Sequence, residues 1–203
     1  MTLLVRDTVN ERLRAAADHA LIIQPLLDVD QLGSASLDLR LGYDFLVSVL
    51  TRRPSIDVGR SADYRAIGSY FQETRRELGE RFVLYPNQVV LTTTLEYVGL
   101  PADCYADISA RSSYNRLGVP IATWLQPGFR GCVPLELFNH GNSPIELVVG
   151  CRMCQMRLYK LEQPQQYVEH GATRKYYGDV RPKVSSADAD RDLAHLDSIR
   201  SVN

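Results

Sequence analysis

The first hydrophobic pattern of the chain has the period of a helix. Over residues 5–19, Val9, Leu13, Ala16 and Ala17 fall on one face, and the charged side chains fall mostly elsewhere. The spacing therefore predicts an amphipathic helix over 5–19.

Beyond residue 22 the pattern changes to short alternating stretches separated by turn residues. Residues 37–41 alternate strictly between apolar and polar positions and end at Gly42, which is typical of a half-buried strand. Residues 51–79 are polar and charged, and we interpret them as a long loop with a short helix near 70–78. Further strands are predicted at 45–50, 81–84, 89–94, 105–109, 132–138, 145–149 and 153–159. Many short strands at this spacing indicate a barrel or sandwich rather than β–α–β units.

The composition becomes polar after Gln163. We therefore predict a β domain with its helix over 1–162, and a mobile C-terminal tail over 163–203. Within the tail, residues 175–178 combine a lysine, two tyrosines and a glycine. They are either an ordinary basic patch or a lid that closes over an anion.

Composition and charge restrict the classes of partner. The chain has 203 residues, 45% of them hydrophobic, and a net charge of −1, so its charge predicts neither nucleic acid nor an anionic membrane as partner. No apolar run reaches the roughly 20 residues that a membrane span needs. Residues 1–9 do not resemble a signal peptide, and the four cysteines show no disulfide-framework pattern, so we expect a reducing cytoplasm. An anionic ligand must be held by local donors.

One such group of donors lies at residues 111–116. Arg111, Ser112, Ser113 and Arg116 place guanidinium and hydroxyl groups around one turn, and these groups suit phosphate binding. The alternative is a solvated loop with an ordinary surface ion pair.

Glu136 is the candidate general acid or base. Strand alternation places it on the face of Pro134 and Phe138, opposite Leu135 and Leu137. It either points to solvent or lines a cleft, where desolvation raises the pKa of the carboxyl and suits it to proton transfer.

A pair of cysteines, Cys151 and Cys154, has CxxC spacing. Zinc needs about four ligands, and the nearest histidines, His140 and His170, form no second pair. On a strand the two thiols would face opposite sides of the sheet. We interpret the cysteines as structural and expect no metal-binding residues and no zinc.

Five ordered segments, taken together over most of residues 5–180, resemble the dCTP deaminase branch of the dUTPase-like superfamily. The segments are 36–42, 111–118, 127–131, 135–139 and 150–155. The resemblance implies a mainly β, distorted barrel or jelly-roll and a homotrimer with active sites between subunits. It also implies a dCTP deaminase-like hydrolase that converts dCTP to dUTP and ammonia without zinc, with Mg²⁺ carried in on the triphosphate.

The same resemblance implies roles for individual residues. Glu136 would take a proton from water and later protonate the base, while Arg116 and Ser112 would orient the water and the glutamate. The substrate would be bound by Arg111, Ser113, Gln126 and Gln155, with Lys175 and Tyr176 in the closing tail.

The chain departs from the family pattern at three places. The 119–126 loop is shorter than usual, Gln126 stands where the family carries aspartate beside the deoxyribose, and Asp179 stands where the tail often has glutamine. Hydrolysis of dUTP through that aspartate is therefore not expected, and an acid at 179 would repel a triphosphate unless Mg²⁺ intervenes. These departures leave open a relative that deaminates another cytosine nucleotide, and a nucleotide-binding regulatory protein.

Overall fold

A computed structural model of the chain describes residues 1–16, 19–49, 55–58, 67–165 and 176–200. The helices are α1 (Arg6–Arg14), α2 (Ser112–Asn115) and α3 (Arg191–Arg200). The strands are β1 (Thr2–Leu3), β2 (Ile22–Gln24), β3 (Leu37–Arg40), β4 (Asp44–Ser48), β5 (Phe71–Arg75), β6 (Arg81–Leu84), β7 (Val89–Gly99), β8 (Cys104–Ala110), β9 (Ala122–Leu125), β10 (Arg130–Phe138), β11 (Ile145–Val148) and β12 (Arg152–Lys160).

Two antiparallel sheets carry the fold. The first has the order β1–β12–β8–β9, with β3 also paired to β12, and the second has the order β10–β7–β4–β5, with β2 also paired to β7. Strands β6 and β11 form a small third sheet. The predicted mainly β fold is confirmed. The described strands form separate antiparallel sheets and not one closed barrel, which agrees with the predicted distortion. No helix in the described part of the chain combines the length and apolar character that crossing a membrane requires.

Period-two alternation builds the core. Along β8 every second residue from Cys104 to Ala110 is buried, and the residues between them reach the surface. Phe45 of β4 stacks on Phe82 of β6 with ring centroids 4.1 Å apart, which packs the second sheet against the small one. Each such fully buried large apolar side chain contributes about 1.5–3 kcal/mol to folding.

The N-terminal helix α1 is shorter than the predicted span of residues 5–19. It ends at Arg14, and Ala15 is already extended with φ −69° and ψ 159°. The chain turns here because Leu21 and Ile23 must enter the core, where they are 3% and 4% exposed. Ala16 continues the helical pattern but cannot compensate for the loss of that burial, and residues 17 and 18 of the predicted helix lie outside the described residues.

The predicted helix near 70–78 is wrong. Residues 71–75 form the edge strand β5, which pairs along its whole length with β4. Its polar side chains face solvent, so its sequence carries little apolar periodicity. Strands β2 and β9, which the pattern did not predict, are likewise short, and β9 lies within the 119–126 loop.

A buried polar network joins β3 and β7. The carboxylate of Glu96, which is 0% exposed, accepts hydrogen bonds from Gln31 Nε2 at 2.9 Å and from the backbone N–H of Arg40 at 2.8 Å. Arg40 Nη1 donates to the carbonyl of Gly150 at 2.8 Å. Burial raises the pKa of Glu96, although these hydrogen bonds act in the opposite direction. The network therefore provides hydrogen bonds to a carboxylate whose burial would otherwise be strongly unfavourable.

A bidentate ion pair fixes α1 to the loop before β8. Arg12 Nη2 and Nη1 donate to the two carboxylate oxygens of Asp103 at 2.6 and 2.9 Å. Burial raises the pKa of Asp103, but the hydrogen bonds and charge of Arg12 outweigh it, and the pKa lies below its usual value. The side chains are 13% and 10% exposed, so water screens the pair weakly.

Asp103→Asn is expected to lower the free energy of unfolding by about 2 kcal/mol at neutral pH, because Arg12 loses charge-assisted hydrogen bonds. Since the folded pKa of Asp103 is depressed, its contribution is present above the unfolded-state pKa of about 4 and is lost as pH falls through the folded pKa. Urea unfolding between pH 7 and acid checks this. The gap to wild type should close on acidification, and a gap that persists there contradicts the assignment. Asp107→Asn, in a more exposed pair with Arg157, is the control and should cost less than about 1 kcal/mol.

Candidate active site

Glu136 stands on the outer face of the second sheet. Its neighbours Leu135 and Leu137 are 1% and 0% exposed and face the core, while Glu136 itself is exposed. The alternation predicted from the sequence is therefore confirmed. Across the sheet, Glu136 is in register with Leu91 of β7.

The outer face around Glu136 forms a cavity of about 340 Å³. Its sheet wall is mostly apolar and includes Phe71, Val89, Leu91 and Pro134. Water reaches Glu136, but these neighbours reduce its hydration, and this loss raises the pKa of the carboxyl against an opposing hydrogen bond from its own backbone. A raised pKa lies closer to neutral pH, and a carboxyl with such a pKa can both accept and return a proton.

The residues 176–185, here the tail segment, cover this cavity from the other side. Tyr176, Pro182, Lys183 and Ser185 line it together with Glu136. Predicted site residue Tyr176 therefore lies at the Glu136 cavity, whereas Lys175 lies outside the described residues.

The tail segment is fixed to the second sheet at several points. The N–H of Gly178 donates to the carbonyl of Arg130 at 2.7 Å, and the N–H of Cys132 donates to the carbonyl of Asp179 at 2.8 Å. Further along, Arg181 Nε lies 3.7 Å from a carboxylate oxygen of Asp44. The segment thus crosses from β10 to β4 over the face that carries Glu136.

Asp179 forms an ion pair within the tail segment. Its Oδ1 lies 2.6 Å from Lys183 Nζ, and its Oδ2 is buried without a hydrogen-bond partner among the described residues. The lysine balances the carboxylate, which reduces the repulsion that an acid at this position would exert on a triphosphate. The four-residue spacing could not have identified the pair, because that rule holds on a helix and this segment is not helical.

Gly131→Ala is expected to detach the tail segment. Gly131 has φ +142°, and a methyl group on its Cα would lie 2.7 Å from the carbonyl oxygen of Asp179. About 1–3 kcal/mol of strain should raise the rate of tryptic cleavage after Lys183 about tenfold or more, read by mass spectrometry. The control is Gly79→Ala, since Gly79 has φ +85° and nothing within 4 Å. Equal acceleration in both variants would mean that the contact with Asp179 does not hold the segment.

The candidate phosphate donors lie on the first sheet. Ser112, Ser113 and Arg116 are exposed around the single turn of α2. Arg111 precedes the turn, and its N–H donates to the carbonyl of Met153 on β12 at 3.0 Å. Gln155, two residues further on β12, is in register with Ser109 of β8 and Asp38 of β3. Arg111 and Gln155 are therefore both held against β12, within four residues of one another along that strand.

The predicted residues fall into two groups that make no direct polar contact in the described part of the chain. Glu136 belongs to the second sheet and the donors at 111–116 to the first, and no hydrogen bond or ion pair within the described ranges connects them. Gln126 is exposed in the turn after β9, where its carbonyl accepts from the N–H of Phe129 at 3.1 Å. The described residues include no cluster of three or more His, Cys, Asp or Glu that could hold a metal ion. All four cysteines are free thiols. Cys154 is buried within β12, whereas Cys151 is exposed and precedes that strand, so the two do not lie on one strand as predicted.

Comparisons with known proteins identify the family. The profile of the family described as "DCD: dCTP deaminase-like" matches residues 7–161. The chain is 34% identical to a protein named "dCTP deaminase, dUMP-forming" from Methanobrevibacter smithii, over 95% of this chain and 99% of the relative. It is 38% identical to a "dCTP deaminase" from Halorubrum lacusprofundi, over 86% of this chain and 87% of the relative.

A solved structure agrees with this result. The crystal structure of 2'-deoxycytidine 5'-triphosphate deaminase from Agrobacterium tumefaciens has a TM-score of 0.58 and 27% identity, covering 77% of this chain. The match spans about half, 48%, of the crystallised chain. The chain belongs to the dCTP deaminase-like family, and the prediction of a deaminase-type enzyme is confirmed at the level of that family.

Proposed function

We propose that this protein deaminates a cytosine deoxynucleotide, with dCTP as substrate and dUTP and ammonia as products. The observation that carries the proposal is the Glu136 carboxylate, which has a raised pKa in a mostly apolar cavity covered by the tail segment. Such a cavity suits a planar base, and such a carboxylate suits proton transfer.

In this mechanism Glu136 takes a proton from water while the hydroxide attacks C4 of cytosine. The same carboxyl then returns that proton to N3 of the base. The proton of the added hydroxyl is transferred to the amino nitrogen, the C4–N bond breaks as C4=O forms, and ammonia leaves. Proton transfer of this kind contributes on the order of 10²–10⁴-fold, and orientation of the water and base must supply most of the remainder.

The remaining groups come from a second subunit in this proposal. The family resemblance supports a homotrimer with sites between subunits, as does the absence of any hydrogen bond or ion pair between Glu136 and the 111–116 turn within the described ranges. Arg116 and Ser112 would then orient the water and Glu136, while Arg111, Ser113 and Gln155 hold the triphosphate with its Mg²⁺. Part of the 163–203 tail would act as the lid, through Lys175 and Tyr176.

The end product is proposed to be dUTP rather than dUMP. Relatives at similar identity bear both names, "dCTP deaminase" and "dCTP deaminase, dUMP-forming". In this chain Gln126 occupies the position at which the resemblance places an aspartate beside the deoxyribose. An amide cannot accept a proton from water as a carboxylate does, which favours release of dUTP.

Purified protein with Mg²⁺ and dCTP, CTP, dCMP or dUTP tests the proposal, with products separated by chromatography. Formation of dUTP and an equal amount of ammonia from dCTP supports it. Formation of dUMP would refute the proposed end product. Absence of ammonia with every cytosine nucleotide would refute the deaminase, and a ligand-dependent rise in Tm in that case would indicate a nucleotide-binding protein.

A further inference from the structure

Two arginine side chains converge on one carboxylate oxygen at the edge of the first sheet. Arg111 Nε lies 3.6 Å and Arg152 Nη1 3.8 Å from Oδ2 of Asp38. The Asp38 side chain is 11% exposed, whereas those of Arg111 and Arg152 are 38% and 30% exposed. The carboxylate is thus covered, and both guanidinium groups reach the surface.

This cluster carries one more positive charge than negative charge. Both distances exceed the 2.7–3.2 Å of a normal N–H···O hydrogen bond, so Asp38 attracts the guanidinium groups without occupying their donors. Within the described residues, the side chain of Arg111 donates to the carbonyl of Arg152 at 3.4 Å, and that of Arg152 donates to the carbonyl of Asp30 at 3.0 Å. Each guanidinium has five N–H donors, so on these partly exposed side chains several more can bind phosphate oxygens.

The position of Asp38 is rigid. It lies within β3, in register with Gln155, and its carbonyl accepts a hydrogen bond at 3.0 Å from Gln31 Nε2. Gln31 also belongs to the buried network of Glu96 and Arg40. The core therefore fixes the carboxylate that both arginines approach. Because this carboxylate restrains the two arginine side chains, ordering them around a bound anion costs little entropy.

We propose that Arg152 is a second polyphosphate-binding residue beside Arg111, and that Asp38 is the positioning residue for both guanidinium groups. The inference rests on the proposed function, since it assigns the triphosphate of that substrate to these two side chains. The sequence could have indicated this residue, because Arg152 lies within the 150–155 segment, three residues before the predicted phosphate ligand Gln155.

The first test uses inorganic tripolyphosphate, with and without Mg²⁺, as a calorimetric probe that needs no turnover. Arg152→Gln is expected to weaken its binding about tenfold or more, since it removes charge-assisted hydrogen bonds. The matched control is Arg157→Gln, on the same strand but with its Nε held 2.9 Å from Asp107, and its affinity should stay within about twofold of wild type. Unchanged affinity in Arg152→Gln, or no binding by the wild type, overturns the proposal.

Kinetics give a second readout. With dCTP, Arg152→Gln should raise KM about tenfold or more with kcat changed less, and the effect should be smaller with dCMP, which has fewer phosphates. An equal effect on both substrates contradicts a polyphosphate contact. If the wild type forms no product, the proposed function fails while the binding experiment still decides the role of Arg152.

The Arg152→Lys variant keeps the charge but lacks the planar guanidinium. We expect it to bind tripolyphosphate with an affinity between those of the wild type and Arg152→Gln, and this result can be measured even if the glutamine variant folds poorly.

Asp38→Asn separates positioning from simple charge balance. If Asp38 only competes with phosphate for the arginines, removing its charge should tighten tripolyphosphate binding. If Asp38 positions them, binding should weaken, and Arg152→Gln should have a smaller effect in the Asp38→Asn background than in the wild type. Tighter binding, or full additivity of the two substitutions, overturns the positioning role.

Discussion

Glu136→Gln is expected to reduce kcat for deamination by about 10²–10⁴-fold while the protein stays folded. The amide retains the size of the side chain but can neither take a proton from water nor return it to the base. Because Glu136 is exposed on the outer sheet face, its replacement removes no core packing. Measurement of ammonia release, with Tm recorded on the same samples, checks both parts.

The control for this variant is Glu146→Gln. Glu146 is also an exposed strand glutamate, on β11, where it pairs with Arg81 at the surface. Its substitution should leave turnover within about twofold and Tm nearly unchanged, since such surface pairs contribute little. A fully active Glu136→Gln variant would remove Glu136 from the mechanism, and an unfolded one would indicate a structural role for its carboxylate.

The raised pKa of Glu136 also sets the direction of the pH dependence. As a general base the carboxyl acts in its ionised form, so activity falls as pH decreases through its pKa. Since lost hydration raises that pKa, the decline should begin at a higher pH than for an ordinary glutamate. Glu136→Gln should lose this limb of the kcat profile.

Glu96→Ala is expected to destabilise the protein by about 3–5 kcal/mol, the cost of breaking a buried charged network. The substitution leaves the Gln31 amide and the Arg40 N–H without their acceptor, and it weakens the charge balance of Arg40 in the core. Urea unfolding at neutral pH measures the loss. Glu73→Ala, at an exposed position of β5, is the control and should change stability by less than about 0.5 kcal/mol.

The pH dependence distinguishes Glu96 from Asp103. Burial raises the folded pKa of Glu96 above its unfolded value, so the folded chain binds the proton more tightly. Protonation of Glu96 therefore increases the free energy of unfolding as pH falls from the folded-state pKa to the unfolded-state pKa. This increase is lost as pH rises through the folded-state pKa. Asp103, with a depressed pKa, acts in the opposite direction. A Glu96→Ala variant whose pH profile of stability matches the wild type would contradict a desolvated Glu96.

Local patterns were sufficient for much of the fold and for one half of the site. Period-two alternation placed Glu136 opposite Leu135 and Leu137, because neighbouring residues of a strand face opposite sides of the sheet. The 111–116 group was visible because guanidinium and hydroxyl groups lie close together in the chain. Prediction failed where pairing outweighed local pattern, as in β5, which has few apolar residues and depends on β4 for its hydrogen bonds.

Glu96 shows why the rest required the folded chain. The predicted strand stopped at residue 94, whereas β7 continues through Glu96 to Gly99. Its acceptor oxygens are satisfied by Gln31 and Arg40, which lie more than 50 residues earlier in the chain. Nothing local indicates that a carboxylate at this point can be buried.

By itself, the sequence determined the mainly β class, the family of the chain and the face on which Glu136 stands, because these depend on residue order and short-range geometry. The tertiary structure decided between the two interpretations of the tail, because Tyr176 lines the Glu136 cavity. It alone showed that Arg111 and Arg152 both approach Asp38. These contacts join residues far apart in the chain, and their stability comes from burial and charge balance that exist once the sheets have packed.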